Sequence, residues 1–493
     1  MGESRPRPLV SPPMSLAAQI RRLAKHSAIY GLGGLVSRIL AVFLLPLYTR
    51  YLTPADYGAV ETLVALSAVL VTVLRLGISS AFFRFYFDSR DPARRLLVVR
   101  TSFWFTMVMA SAGLAAGLAL AEPLSRALFA TGDRTWLVRA AFVALWAQMN
   151  YEQLTSLFRV EERSFQFVNA SLANILITVA ATVGFVVGLR WGATGVVVGN
   201  VTGTLCVYAA LLAYRREQLG LQLDRSLLRE MNRFGLPLVP SALALWALNF
   251  SDRFFLVKLS GQEEVGLYSL GSRIASAMVL LLTAFRTAWP AFAYSIEDER
   301  EARRTYGFVL TYLLLVATWV ALALGLLAPW IVRLLATPSF YGASRVVAPL
   351  AFAAAALGGY IVIAIGVGRA RRTQFNWVVT GAAALVNVGL NMILIPPYGM
   401  MGAAVATVAA YVLMFAAMAW WAQRVYPVPY QWRRVATLAA VGVTLYALGK
   451  GLEVDLPAAI ALALSYPLVL LPLRFYLPAE LRRIRRLVPV RSS

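Results

Sequence analysis

The sequence predicts an all-α polytopic membrane protein of about 14 transmembrane helices: two six-helix lobes related by an internal repeat, followed by two further helices. Three observations predict this. The chain of 493 residues is 60% hydrophobic and only 14% charged, with a mean hydropathy of +0.69, which is beyond the range of soluble domains. Its apolar residues gather into windows of about 20, the length that crosses a hydrocarbon core. Finally, motifs from the first half recur in the second at nearly one offset, the mark of a duplicated unit.

In chain order the predicted spans are residues 28–50, 54–78, 97–120, 136–158, 165–189, 193–213, 233–256, 265–288, 305–330, 344–367, 374–396, 400–423, 433–450 and 456–475. Start signals support several of them. "LTPADYG" offers Thr53 as N-cap, Pro54 at the first helical position and Asp56 three residues after the cap, so the second span opens there. Asp91 and Pro92 open the third in the same way. "RWGATGVVVGNVTG" from Arg190 resembles "PYGMMGAAVATVAA" from Pro397, 207 positions later. "YGLGGLVS" and "FGLPLVPS" begin at Tyr30 and Phe234, 204 apart, and Gly58 and Gly266 follow at 208. Six spans per unit is an even number, so the lobes share one orientation and an axis along the membrane normal. The expected organisation is a tail over 1–27, a first lobe over 28–213, a linker over 214–232, a second lobe over 233–423, two more helices over 424–475 and a basic tail over 476–493. Gly192/Gly195 and Gly399/Gly402 read as tight turns and close helix packing.

A net charge of +23 would suggest nucleic acid in a soluble protein. Here the arginines flank apolar segments, as they do in loops beside anionic lipid, so no nucleic-acid partner is expected. With the N-terminus cytoplasmic, the tails and even-numbered loops hold most of the 46 Lys and Arg residues, which places both termini in the cytoplasm. The N-terminal stretch has basic residues but no small-residue cleavage site after a short apolar core, and reads as a tail and not a signal peptide. The single cysteine, Cys206, excludes an intrachain disulfide, and with one histidine, His26, no metal cluster can be assembled. No constellation of catalytic carboxylates or bases stands in a large loop, so a polytopic transferase or polymerase is disfavoured.

Four arginines fall inside spans: Arg38, Arg75, Arg273 and Arg286. Each costs roughly 2.5–3.5 kcal/mol at the bilayer centre, so it is kept where it meets a wet cavity or a counter-charge. Arg75 and Arg286 lie near helix ends, where snorkelling is an equal account. Arg38 is too deep for that and shares a face with Gly31, Gly34 and Thr49. Glu61 and Arg75 lie on neighbouring faces of the second span. Arg273 joins a stripe with Ser269, Ser276, Thr283 and Thr287. Asp252 and Arg253 read first as a structural ion pair. Asn387 and Asn391, at i and i+4, are placed to bond between helices or to touch a solute. This inventory suits an anionic phosphate or pyrophosphate group held by guanidinium forks. The only acids available as coupling residues are Glu61 and Asp252.

"LPLYTRYLTPADYGAVETL", "NFSDRFFLVKLSGQEEVGLYSLGSRI", "FYGASRVVAPL" and "LNMILIPPYGMMGAAVAT", in that order, resemble the Wzx-type polysaccharide-synthesis flippases. Those belong to the superfamily that also holds multidrug and toxin extruders and lipid II flippases. The resemblance runs from about Ser27 to Pro472. It implies a bacterial inner-membrane carrier with no cofactor and no enzymatic activity, moving an undecaprenyl-pyrophosphate-linked oligosaccharide outward by alternating access. A proton or sodium gradient is a candidate drive, and a polysaccharide polymerase and glycosyltransferases are candidate partners beside the membrane lipids. It further implies that Ser37, Arg38, Glu61, Arg75 and Arg273 form the substrate-binding set, with Glu61, Asp252 and Arg253 as coupling or ion-pair residues. A cation-coupled drug or metabolite antiporter and a lipid II flippase remain the alternatives.

Overall fold

The computed structural model describes residues 44–478, all of whose regular elements are helices. Ser37, Arg38, both tails beyond these limits and most of the first span lie outside the described residues. The first lobe comprises α1 (Leu45–Tyr51), α2 (Pro54–Arg75), α3 (Ile78–Asp88), α4 (Pro92–Ala119), α5 (Ala121–Phe129), α6 (Thr135–Val160), α7 (Ser164–Val183) and α8 (Gly192–Arg215). A linker helix, α9 (Arg225–Gly235), leads to α10 (Val239–Leu259), α11 (Gln262–Ala275), α12 (Ala277–Ser295), α13 (Glu299–Leu335), α14 (Ser344–Arg369) and α15 (Asn376–Val425). Helices α16 (Trp432–Gly451) and α17 (Leu456–Val469) are the last described elements and pack on α13.

Among the described residues, nine helical stretches are long and apolar enough to cross a membrane. One of them, α15, holds two expected spans. They are separated at Gly399, whose φ of 53° and ψ of −133° are open to glycine and strained for other residues. Helix α6 is long enough but less apolar than those nine, because Gln148, Asn150, Glu152 and Gln153 dilute it. The predicted caps form: Thr53 accepts from the Asp56 N–H, and Asp91 from the Ala93 N–H.

Connections expected on one side of the membrane meet one another. At one end Arg215 pairs with Glu161 at 2.7 Å, Arg100 donates to the Gln218 carbonyl at 3.1 Å and Arg369 pairs with Glu299 at 2.7 Å. At the other end Thr337 donates to the Thr49 carbonyl at 2.7 Å, Arg134 pairs with Asp56 at 3.3 Å and the Met400 N–H donates to Glu264 at 2.7 Å. The charged connections therefore alternate between the two ends along the chain, as a multi-pass membrane protein requires.

The eighth span is not straight. It breaks at Ser276, where α11 ends and α12 begins with a changed set of neighbours. Helix α11 packs on α2 of the first lobe, whereas α12 packs on α13 and α14 of its own lobe. The lobes are thus joined along α2, α10 and α11 and part beside α12. At the join the backbones nearly touch: a methyl group on Gly58 would stand 1.9 Å from the Gln262 carbonyl oxygen, and one on Gly266 would stand 1.9 Å from that of Pro54. Trp246 on α10 adds a bond from its indole N–H to the Ala65 carbonyl at 3.0 Å.

Candidate functional site

A cavity of about 690 Å³ opens within the first lobe beside the junction, and Arg273 is its one lining residue from the second lobe. Helix α2 supplies one wall, with Tyr57 and Glu61 on the face that α11 approaches; α6 supplies Gln148 and Glu152; α1 supplies Tyr48; α11 supplies Arg273. Valine, leucine and alanine side chains of α2, α6 and α8 complete it, so its few polar groups stand in an apolar frame.

Arg273 is the polar centre. Its Nη2 donates to Glu61 Oε1 at 2.6 Å, a bond between the two lobes, and its guanidinium carbon lies 5.6 Å from the centre of the Tyr57 ring. The Arg273 side chain keeps 31% of its surface accessible, against 10% for Glu61. A guanidinium has five N–H donors and Glu61 takes one from Nη2, so donor capacity remains toward the cavity. Glu61 follows Gly58 by three positions and Arg273 follows Gly266 by seven. The ion pair thus follows directly on the close helix contact, on the same faces of α2 and α11.

Arg75 lies fourteen residues beyond Glu61 on α2, about 21 Å along the axis. Its Nη1 meets Glu152 Oε2 at 2.7 Å, and its Nη2 donates to the Met149 carbonyl at 3.3 Å. The Gln148 amide also donates to Glu152. Sequence reasoning missed Glu152, and with it the expectation that only Glu61 and Asp252 could serve as cavity acids is corrected: Glu152 lines the cavity. The available signal was Glu152, an acid inside an expected span, one turn from Gln148 and opposite in charge to Arg75. Arg286, on the exposed face of α12, has no ion-pair partner among the described residues.

Asp252 and Arg253 stand apart from this cavity, inside the second lobe. Arg253 Nη1 lies 3.0 Å from Asp252 Oδ1 and donates to the Asn249 carbonyl at 2.8 Å, while the Tyr268 hydroxyl donates to the other Asp252 oxygen. Both are buried. Asn391 donates to Asn387 at 3.1 Å, and Ser251 donates to Asn387 at 3.4 Å, tying α15 to α10. The structure therefore brings Glu61 and Arg273 together, pairs Arg75 with an acid not foreseen, and keeps Asp252 and Arg253 with each other. No cluster of three or more metal-binding side chains occurs among the described residues.

This architecture is similar to that of a lipid II flippase, MurJ, in an inward closed conformation: TM-score 0.73, 12% identity, over 90% of this chain and 98% of that one. It is also similar to an inward-facing multidrug resistance MATE family transporter of the MOP superfamily, with a TM-score of 0.66 at 16% identity over 82% and 99% of the two chains. At these identities the likeness is one of fold. In sequence the chain is 25% identical over 295 residues to protein 1 of the Lsg locus of Haemophilus influenzae, covering 57% of this chain and 68% of that protein. Residues 47–345 match the family described as polysaccharide biosynthesis protein. That match runs from the end of the first span through both halves of the Glu61–Arg273 pair to the start of α14, and the chain belongs to this family.

Proposed function

We propose that this protein is a non-enzymatic carrier that moves an undecaprenyl-pyrophosphate-linked oligosaccharide across the bacterial cytoplasmic membrane, with both chain termini cytoplasmic. The observation that carries the reading is Arg273: a partly accessible guanidinium at the junction of two lobes, facing a cavity in a polysaccharide biosynthesis protein. A phosphate oxygen entering the cavity would meet the N–H donors that Glu61 leaves open. As the bidentate geometry formed, Arg273 would exchange its carboxylate for the substrate. The exchange loosens the bond between α2 and α11, so substrate binding favours the state in which the lobes part there. Arg75 would act as a second station farther along α2, where Glu152 must likewise yield. Arg38 and Ser37 enter this scheme through the family resemblance, on the span that ends in α1. The polyprenyl tail would remain in lipid outside the two lobes.

Native mass spectrometry of the detergent-purified protein, with identification of bound lipid, tests this reading. Wild type is expected to carry a polyprenyl-diphosphate glycan, and Arg273→Ala to lose at least tenfold of it, together with polysaccharide export in a strain lacking its own flippase. Full export by Arg273→Ala would refute the role. A peptidoglycan precursor as the bound species would reassign the substrate.

A second reading is favoured by one observation: Glu61 and Glu152 line the same cavity. A cation-coupled antiporter would use them to bind its coupling ion or a cationic solute. It predicts that Glu152→Gln abolishes dye efflux, whereas the flippase reading predicts none to abolish. Collapsing the proton and sodium gradients separately identifies the drive in either case.

A further inference from the structure

Among the described helices, the linker helix α9 is the most sharply two-faced. One face is buried: Leu227 and Met231 are 0% exposed, set against Ile78 and Phe82 of α3 and the adjoining part of the first lobe's core. The other face carries Arg225, Arg229 and Arg233 at i, i+4 and i+8, all exposed, around a groove of about 530 Å³ that also takes in Leu228, Asn232 and Leu236. None of the three arginines has an ion-pair partner among the described residues. The single acid of the helix, Glu230, faces Arg94 at 3.8 Å. The amide oxygen of Asn232 is buried without a hydrogen-bond partner.

We propose that this face is a binding site for the headgroups of anionic phospholipids in the leaflet beside it. Three features select that occupant. Guanidinium groups without carboxylates suit phosphate. The row spans about 12 Å, eight residues at a helical rise of 1.5 Å. That exceeds one phosphate group, so it fits neighbouring headgroups of a leaflet better than one soluble anion. Leucines exposed just before and after the helix, Leu221 at 85% and Leu236 at 52%, supply the apolar contacts by which an amphipathic helix seats itself at a headgroup boundary.

The site also has mechanical reach. Before α9, the linker is tied to α4: the Asp224 N–H donates to Thr101 at 3.2 Å and Arg100 donates to Gln222 at 2.6 Å. After it, one turn, Leu236–Leu238, leads straight into α10 of the second lobe. Headgroups held on α9 therefore fix the segment that joins the lobes. The proposal does not rest on the identity of the transported molecule.

The test compares phosphatidylglycerol with phosphatidylcholine binding to the full chain by native mass spectrometry. The subjects are wild type, the triple variant Arg225→Gln/Arg229→Gln/Arg233→Gln, and a control at the opposite end, Arg333→Gln/Arg345→Gln. A basic residue near an anionic surface contributes about a factor of five, so the triple variant is expected to lose at least tenfold of its preference for phosphatidylglycerol, and a triple Arg→Lys variant to recover most of it. The control keeps the wild-type preference. An unchanged preference in the triple variant, or an equal loss in the control, overturns the proposal. So does a triple variant that loses a polyprenyl-diphosphate adduct while holding phosphatidylglycerol, which would make the groove part of the substrate path. If the triple variant does not fold, Arg229→Gln alone must still show a loss of about fivefold.

Discussion

Replacing Gly58 with alanine tests how the lobes are held together. The added methyl would lie 1.9 Å from the Gln262 carbonyl oxygen and 2.8 Å from the Gly266 nitrogen, where ordinary contact begins at 3.4 Å. Both obstacles are backbone, so no side-chain rotation relieves them. Helices α2 and α11 must separate by roughly 1.5 Å, and overpacking of this kind costs about 1–3 kcal/mol. One turn away the same movement would draw the 2.6 Å Glu61–Arg273 bond out to about 4 Å, past the range of a hydrogen bond. The balance between this arrangement and one with the helices apart should shift by a factor of about 5 to 150. Spin labels in place of Asp133, exposed on the connection before α6, and Glu263, exposed in the first turn of α11, would report the separation by double electron–electron resonance. A longer-distance population should grow in Gly58→Ala. Gly381→Ala, whose methyl group would meet nothing within 4 Å, should leave the distribution as it is. An identical distribution in Gly58→Ala and wild type would refute the claim that this contact sets the spacing of the lobes.

Two further perturbations follow from the ion pairs. Asp252→Asn leaves Arg253 buried without its counter-charge and should lower stability by about 3–5 kcal/mol, read as an earlier thermal midpoint in detergent; Asp252→Leu/Arg253→Leu should recover much of it. A wild-type midpoint in Asp252→Asn would mean that the pair is better solvated than its burial indicates. Glu152→Gln removes the carboxylate beside Arg75 and should raise the affinity for inorganic pyrophosphate about fivefold, one hydrogen bond's worth, while Arg75→Gln lowers it. Equal affinities in both variants would remove Arg75 from the proposed anion path.

Hydropathy made the spans legible because a bilayer asks for length and apolarity and little else. It could not locate the break at Ser276, where neither proline nor glycine marks the bend, since the break coincides with the point where contact with α2 of the first lobe gives way to packing on α13 and α14 alone. The short helices α3, α5 and α9 escaped for a similar reason: each is too polar or too short to register as a span, and its amphipathic face has meaning only once a neighbour is in place. The cavity was half legible. Arg75 and Arg273 stood out as charges where charge is costly, and Glu61 as an acid inside the same span as Arg75. Glu152 did not, because its partner is 77 positions away and the pairing exists only after α2 and α6 meet. Nor did periodicity give any sign that the arginines would be neutralised in place.

The contact between Gly58 and Gly266 joins two positions that occupy the same place in the repeated sequence, 208 residues apart. A residue that touches its own counterpart is placed as at the axis of an isologous dimer. In a dimer of identical halves, any change at such a glycine would be felt twice, once from each side; in this single chain its neighbours are free of that constraint. At the same offset the counterpart of Glu61 is Ser269 and that of Arg273 is Ala65, so a self-complementary backbone contact now carries a one-sided charge pair. An axis that treats its two sides alike cannot give a passage any handedness from side to side; the ion pair, present once, is where that equivalence is broken.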